Sequence, residues 1–77
     1  MPHVIVKLYA GRSAQDKTRL AEEMTKAIKD VLKSEDKSIS VAIEDVAPTD
    51  WAEKVYKPDI LGKPEMLYKK PGYNPFR

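Results

Sequence analysis

The sequence contains no cysteine and only one histidine among its 77 residues. A chain without cysteine cannot form a disulfide, and it offers no thiolate as a nucleophile or metal ligand. A single imidazole is also too few for the ligand set of a structural zinc ion. Disulfide-stabilised scaffolds, zinc modules and thiol enzymes are therefore excluded. The composition fits a reducing compartment, so we expect a cytoplasmic protein.

Long apolar runs are absent too. No stretch approaches the roughly 18 apolar residues of a membrane-crossing helix, and the start lacks the charged-then-apolar order of a secretory signal. The formal net charge is only +2, which is too small to indicate nucleic-acid binding by itself. We predict one domain, residues 1–77, without membrane or nucleic-acid partners. A small RNA-binding domain stays open as an alternative because the C-terminal third carries Lys63, Lys69, Lys70 and Arg77.

Two alternating segments flank one long helical segment. Residues 3–9 alternate as a strand does, and residues 38–46 do so again. Between them, Ser13 is a predicted helix N-cap. Apolar residues then recur at spacings of three and four along residues 14–33, namely Leu20, Met24, Ala27, Ile28, Val31 and Leu32. Two strands joined through a helix form a β-α-β unit, so we predict an α/β fold with parallel strands over about residues 2–46.

The remainder of the chain carries shorter elements. Pro48 is predicted to open a short helix over about residues 49–57, which carries Trp51. Pro58 is predicted to end that helix, because the residue before a proline is pushed away from helical geometry. Residues 58–77 are predicted to be irregular, since proline and glycine interrupt them repeatedly.

One helix can cover only one face of a two-stranded sheet. The other face would still present Ile5, Tyr9 and Ala42, and a two-stranded parallel sheet is not expected to be stable alone. A second copy would complete a four-stranded sheet, and two-fold dimers are the commonest closed assembly. We therefore predict a homodimer, with a hexamer as the alternative.

Pro2 directly follows the initiator Met1, and a small second residue normally permits removal of the initiator. An internal proline nitrogen is an amide without useful basicity, but loss of Met1 would leave a secondary amine at the start of the first strand. Burial and nearby cations would lower the pKa of that amine toward the working pH, as a general base requires. Pro2 is thus a candidate base, although a chain end without any role is the commoner outcome.

Two other residues carry chemistry. Arg12, in the turn before the helix, could grip a carboxylate with two parallel hydrogen bonds, or it could be an ordinary surface arginine. Trp51 could line a substrate pocket, or it could anchor a core or an interface. We interpret His3 as a strand residue with a solvated ring rather than as a catalyst.

The chain has a fixed order of short motifs and predicted elements. It begins with Met1-Pro2 and a strand, continues with Gly11-Arg12-Ser13 and a long helix, and then reaches Ser38-Ile39-Ser40-Val41. This order resembles the 4-oxalocrotonate tautomerase family over most of residues 2–46. The Trp51 helix and the tail at residues 69–73 are similar to those of small dimeric bacterial tautomerases. The resemblance implies a β-α-β unit paired into a four-stranded sheet and a keto–enol conversion of a small enol or 2-oxo acid. It implies no cofactor and no metal.

The same resemblance assigns roles to site residues. Pro2 would move a proton between the enol oxygen and carbon, Arg12 matches an arginine that binds the substrate carboxylate, and Trp51 falls near an aromatic that lines the pocket. Ser40 is the third predicted substrate-binding residue, and it is a departure, because hexameric members carry there a second arginine that polarises the substrate oxygen. Its absence argues against the hexamer and favours a monocarboxylate such as an aryl enolpyruvate. Water, a backbone donor or the Trp51 ring nitrogen would then have to polarise that oxygen.

A different class of protein is compatible with the same fold. A chain that keeps Met1 has an amide at Pro2 and cannot use its nitrogen as a base. The alternative prediction is therefore a non-catalytic oligomeric module for binding or assembly.

Overall fold

In the computed structural model, which describes residues 1–77, strand β1 (His3–Tyr9) is followed by helix α1 (Ala14–Leu32) and strand β2 (Ser40–Val46). The two strands are hydrogen-bonded neighbours in one sheet. The Ser40 N–H donates to the Pro2 carbonyl at 3.2 Å, so both strands begin side by side and run parallel. The predicted β-α-β unit is confirmed.

Local sequence sets both ends of α1. The Asp16 N–H donates to the Ser13 hydroxyl at 3.0 Å, which confirms the predicted N-cap. Lys33 follows the helix with a φ of 57°, a left-handed conformation that glycine adopts more easily. Gly11 has a φ of 123° in the turn before the helix, where a side chain would be strained. No helix of the chain has the length and apolar composition of a membrane span.

The apolar stripe of α1 is shorter than the sequence pattern predicts. Leu20, Met24 and Ile28 are half-buried as expected, but Ala27, Val31 and Leu32 are exposed. For Val31 and Leu32 the reason is length, because a helix of 19 residues is roughly 28 Å long at about 1.5 Å per residue. Strands of seven residues reach only about 23 Å at about 3.3 Å per residue. The last turn of α1 therefore extends beyond the sheet.

The first strand alternates as predicted, and its outer face is open. Val4, Val6 and Leu8 are half-buried, whereas Ile5 and Tyr9 are 57% and 53% exposed. β2 begins at Ser40 rather than at the predicted residue 38, because a 3-10 turn occupies Asp36–Ser38. The chain divides into two compact units, Met1–Asp45 and Val46–Arg77. In the first unit no hydrophobic side chain is fully buried, so this unit alone lacks a dry core.

The second unit contains a helix that differs from the predicted one. A 3-10 turn spans Pro48–Asp50, and a π-helix follows over Ala52–Leu61. Pro58 lies inside this helix instead of ending it. A π-helix pairs each N–H with the carbonyl five residues earlier, as the Gly62 N–H does with Lys57 at 2.9 Å. The wider turn gives the ring of Pro58 room that an α-helix would deny it.

Candidate active site

Pro2 and Ser40, two of the predicted site residues, meet at the start of the sheet. The Pro2 carbonyl accepts the Ser40 N–H at 3.2 Å, and Pro2 is half-buried. Met1 precedes it and is fully exposed. Removal of Met1 would therefore take away a solvent-exposed residue and would place the freed nitrogen at the mouth of the paired strands.

His3 is the residue that the sequence pattern undervalued. Its Nδ1 atom lies 2.6 Å from the Ser40 hydroxyl oxygen. The two residues are 37 positions apart in the chain, and strand alternation alone cannot show which residues face each other. Once β1 and β2 are taken as parallel strands that start together, however, His3 and the first residue of β2 are natural neighbours.

Arg12 lies at the other end of β1, in the turn that leads to α1. It lines a groove of about 320 Å³ whose floor includes Leu8 and Leu20. The groove also carries charged groups of both signs, which are Asp16, Lys17, Arg19 and Glu23. Lys17 is engaged by Asp45 at 2.8 Å. Leu8 and Leu20 beside the Arg12 guanidinium suit a ligand with a carboxylate at one end and a hydrocarbon body.

Within one chain, the structure does not bring Arg12 to Pro2. β1 has seven residues and separates the two positions by on the order of 20 Å. Side chains cannot bridge that distance. A site that uses both residues requires an Arg12 from a second copy of the chain.

Trp51 belongs to the second unit, between the 3-10 turn and the π-helix. It is half-buried, and its Nε1–H donates to the Tyr73 hydroxyl at 2.7 Å. The Tyr73 ring also packs against the Tyr56 ring in a tilted arrangement with centroids 5.4 Å apart, and the Tyr73 carbonyl accepts the Tyr56 hydroxyl at 3.2 Å. Indole has one donor, so the Trp51 N–H, one of the groups considered for polarising a substrate oxygen, is already used by the tail.

Comparisons with known proteins agree with this architecture. A family model described as tautomerase enzyme matches residues 2–55. A protein of Xylella fastidiosa strain 9a5c, named probable tautomerase, is 47% identical over 73 residues, covering 95% of this chain and 89% of that protein. Tautomerase PptA of Pectobacterium carotovorum is 37% identical over 75 residues, covering 96% of this chain and 99% of that protein.

A solved structure gives the same result for the fold. The crystal structure of TomN, described as a 4-oxalocrotonate tautomerase homologue in the tomaymycin biosynthetic pathway, superposes with a TM-score of 0.64. The two chains are 32% identical, and the match covers 65% of this chain and 77% of TomN. Sequence and structure therefore point to the same group of enzymes.

Proposed function

This chain belongs to the tautomerase family and is an isomerase, and on that premise we propose that it interconverts the enol and keto forms of a small 2-oxo acid with Pro2 as general base. The observation that carries the proposal is the position of Pro2. It directly precedes β1, with its carbonyl bonded to β2 and with the exposed Met1 next to it. A ring nitrogen held in this way is oriented for proton transfer in a manner that a frayed terminus is not.

The reaction needs one group that first accepts a proton from the substrate oxygen and then donates it to the substrate carbon. After removal of Met1, the Pro2 amine accepts the proton of the enol hydroxyl and delivers it to the neighbouring carbon, which gives the ketone. The amine returns to its starting state, so the net reaction consumes no cofactor. An amide nitrogen cannot do this, because its lone pair is delocalised into the carbonyl.

We assign Arg12 of a partner subunit to the substrate carboxylate. The apolar floor of Leu8 and Leu20 in its groove favours an aryl or alkyl body, and the guanidinium favours a single carboxylate. In a two-fold dimer whose axis is perpendicular to the strands, the end of one β1 lies near the start of the other. Such a pairing would bring Arg12 of one copy toward Pro2 of its partner.

The exposed sheet face supports association of two copies. Ile5 and Tyr9 lie on the exposed side of β1 and are 57% and 53% exposed. The unit that contains them has no fully buried hydrophobic side chain. Edge pairing into a four-stranded sheet would satisfy the open strand edges, and packing of a second copy on the open face would remove this apolar surface from water.

The decisive experiment compares a blocked and a free Pro2 nitrogen. One protein carries a short N-terminal extension, and its matched control carries the same extension at the C-terminus. We expect ketonisation of an aryl enolpyruvate by the control only, with the same circular dichroism spectrum for both. Equal activity of the two proteins would remove Pro2 from the mechanism.

Pro2→Ala complements this test. After loss of the initiator it keeps a primary amine but loses the rigid ring. We expect kcat/KM to fall by about 10²–10⁴-fold, the usual contribution of a positioned general base. Pro75→Ala, in the tail, serves as the control proline and should retain full activity.

A further inference from the structure

We propose, as an extension that rests on the proposed function, that Ser40 donates a hydrogen bond to the reacting oxygen of the substrate and that His3 positions the Ser40 hydroxyl for this task. Ser40 would then be a catalytic residue, since it touches the reacting atoms. His3 would be a positioning residue, since it acts through Ser40.

The strand pairing places this pair next to the proposed base. His3 follows Pro2 in the chain, and the Ser40 N–H donates to the Pro2 carbonyl at 3.2 Å. This bond makes His3 and Ser40 direct neighbours on adjacent parallel strands, so their side chains share one face of the sheet. The distance of 2.6 Å between His3 Nδ1 and Ser40 Oγ shows that the side chains are hydrogen-bonded.

A donor is needed at this place. When the base removes the proton on carbon or on the enol oxygen, negative charge develops on that oxygen, and a preorganised donor stabilises it. Within the same chain the cations of β1 and the following turn lie too far away, and the Arg12 of a partner subunit is assigned to the substrate carboxylate. Lys7 is about 13 Å from His3 at about 3.3 Å per residue, and Arg12 lies beyond the strand end. The polar side chains that the strand pairing holds beside Pro2 are those of His3 and Ser40.

The direction of the hydrogen bond decides whether Ser40 can donate. A hydroxyl has a single proton, so a Ser40 that donates to His3 has none left for the substrate. With the proton on Nδ1, His3 donates to Ser40 Oγ, and the Ser40 proton is free to point at the substrate oxygen. The proton that moves in the reaction passes between the substrate oxygen, the Pro2 nitrogen and the carbon, while His3 and Ser40 keep their own protons throughout.

The first test removes the hydroxyl. For Ser40→Ala we expect kcat to fall by on the order of 10², with KM changed by less than about threefold, because the bond gains strength only as charge develops. Ser40→Thr keeps a hydroxyl and should restore most of kcat. Ser38→Ala is the matched control, since its hydroxyl bonds the Glu35 carbonyl instead. An unchanged kcat for Ser40→Ala in a folded protein overturns the proposal.

The second test separates His3 from a merely structural role. His3→Ala should lower kcat by no more than Ser40→Ala does, and the double variant should be no slower than Ser40→Ala alone, because His3 acts only through the Ser40 hydroxyl. His3→Asn can donate an amide N–H from near the Nδ1 position and should retain most of kcat. Nitrogen NMR of the wild-type ring should show a protonated Nδ1, and a bare Nδ1 overturns the proposal.

The outcomes distinguish this inference from the proposed function. Full activity with a blocked Pro2 nitrogen would overturn the proposed function and this inference together. If activity depends on the Pro2 nitrogen but is unchanged by the Ser40 and His3 substitutions, only the inference about the donor pair is overturned.

Discussion

His3 and Ser40 face each other across the first residues of β1 and β2, with Nδ1 of one 2.6 Å from Oγ of the other. The backbone bond between Ser40 and Pro2 lies directly beside this contact. One end of the sheet therefore holds Pro2, His3 and Ser40. The opposite end leads to Arg12, whose guanidinium is suited to bind a carboxylate. The expected effects of mutations depend on this difference between the two ends of the sheet and on the open face between them.

Loss of the initiator is the first expectation. The intact mass of the protein purified from cells should be lower than that of the full sequence by one methionine residue, because Met1 is exposed and precedes a small residue. Mass spectrometry of the unmodified protein measures this directly. A chain that keeps Met1 throughout would support the non-catalytic alternative.

Arg12→Ala should weaken substrate binding more than it slows turnover. A hydrogen bond to a charged group contributes about 1.5–3 kcal/mol, so we expect KM to rise by about tenfold to a hundredfold, with a smaller change in kcat. Steady-state kinetics with an aryl enolpyruvate measure both constants. Lys26→Ala, at an exposed position of α1, is the control for a general loss of positive charge.

A mixture of two defective variants tests whether Arg12 acts across subunits. One variant carries a blocked Pro2 nitrogen and an intact Arg12, and the other carries Arg12→Ala and a free Pro2. A mixed dimer would contain one complete site if the residues come from different chains, so co-refolding should restore activity. A mixture whose activity at low substrate concentration is no higher than that of the Arg12→Ala parent would show that both groups act within one chain.

Ile5→Lys should prevent association of the chains. Ile5 is 57% exposed on the open face, and a buried lysine without a partner is strongly unfavourable. Light scattering coupled to size exclusion should give a dimer mass for the wild type and a lower mass for the variant. Val31→Lys, at a position 77% exposed near the end of α1, should leave the dimer intact, and a dimeric Ile5→Lys would contradict the assignment of this face.

Lys33→Gly should stabilise the fold. Lys33 has a φ of 57°, a left-handed conformation that costs a residue with a side chain roughly 1–2 kcal/mol. Part of the gain is lost to the greater freedom of glycine in the unfolded chain. A net gain of about 0.5–1 kcal/mol should appear in urea unfolding at fixed protein concentration. Glu22→Gly, inside α1, should instead lower stability by about 1 kcal/mol.

Much of the first unit was predictable because its signals are local. A period of two indicates a strand, a period near 3.6 indicates a helix, and Ser13 marks the helix start through a bond to a residue three positions away. The candidate base was also visible, since only its place after Met1 and before a strand was needed. The role of Pro2 and the single-domain assignment stay predictions.

Tertiary structure alone decided the remaining features, because they depend on residues that are distant in sequence. The contact between His3 and Ser40 joins residues that are 37 positions apart. It exists only because β1 and β2 are aligned so that both strands start at the same end of the sheet. The π-helix through Pro58 reflects a wider hydrogen-bond pattern that residue preferences do not encode. The distance between Pro2 and Arg12 likewise follows from the extended length of β1 between them, and this distance makes a second copy of the chain part of the proposed site.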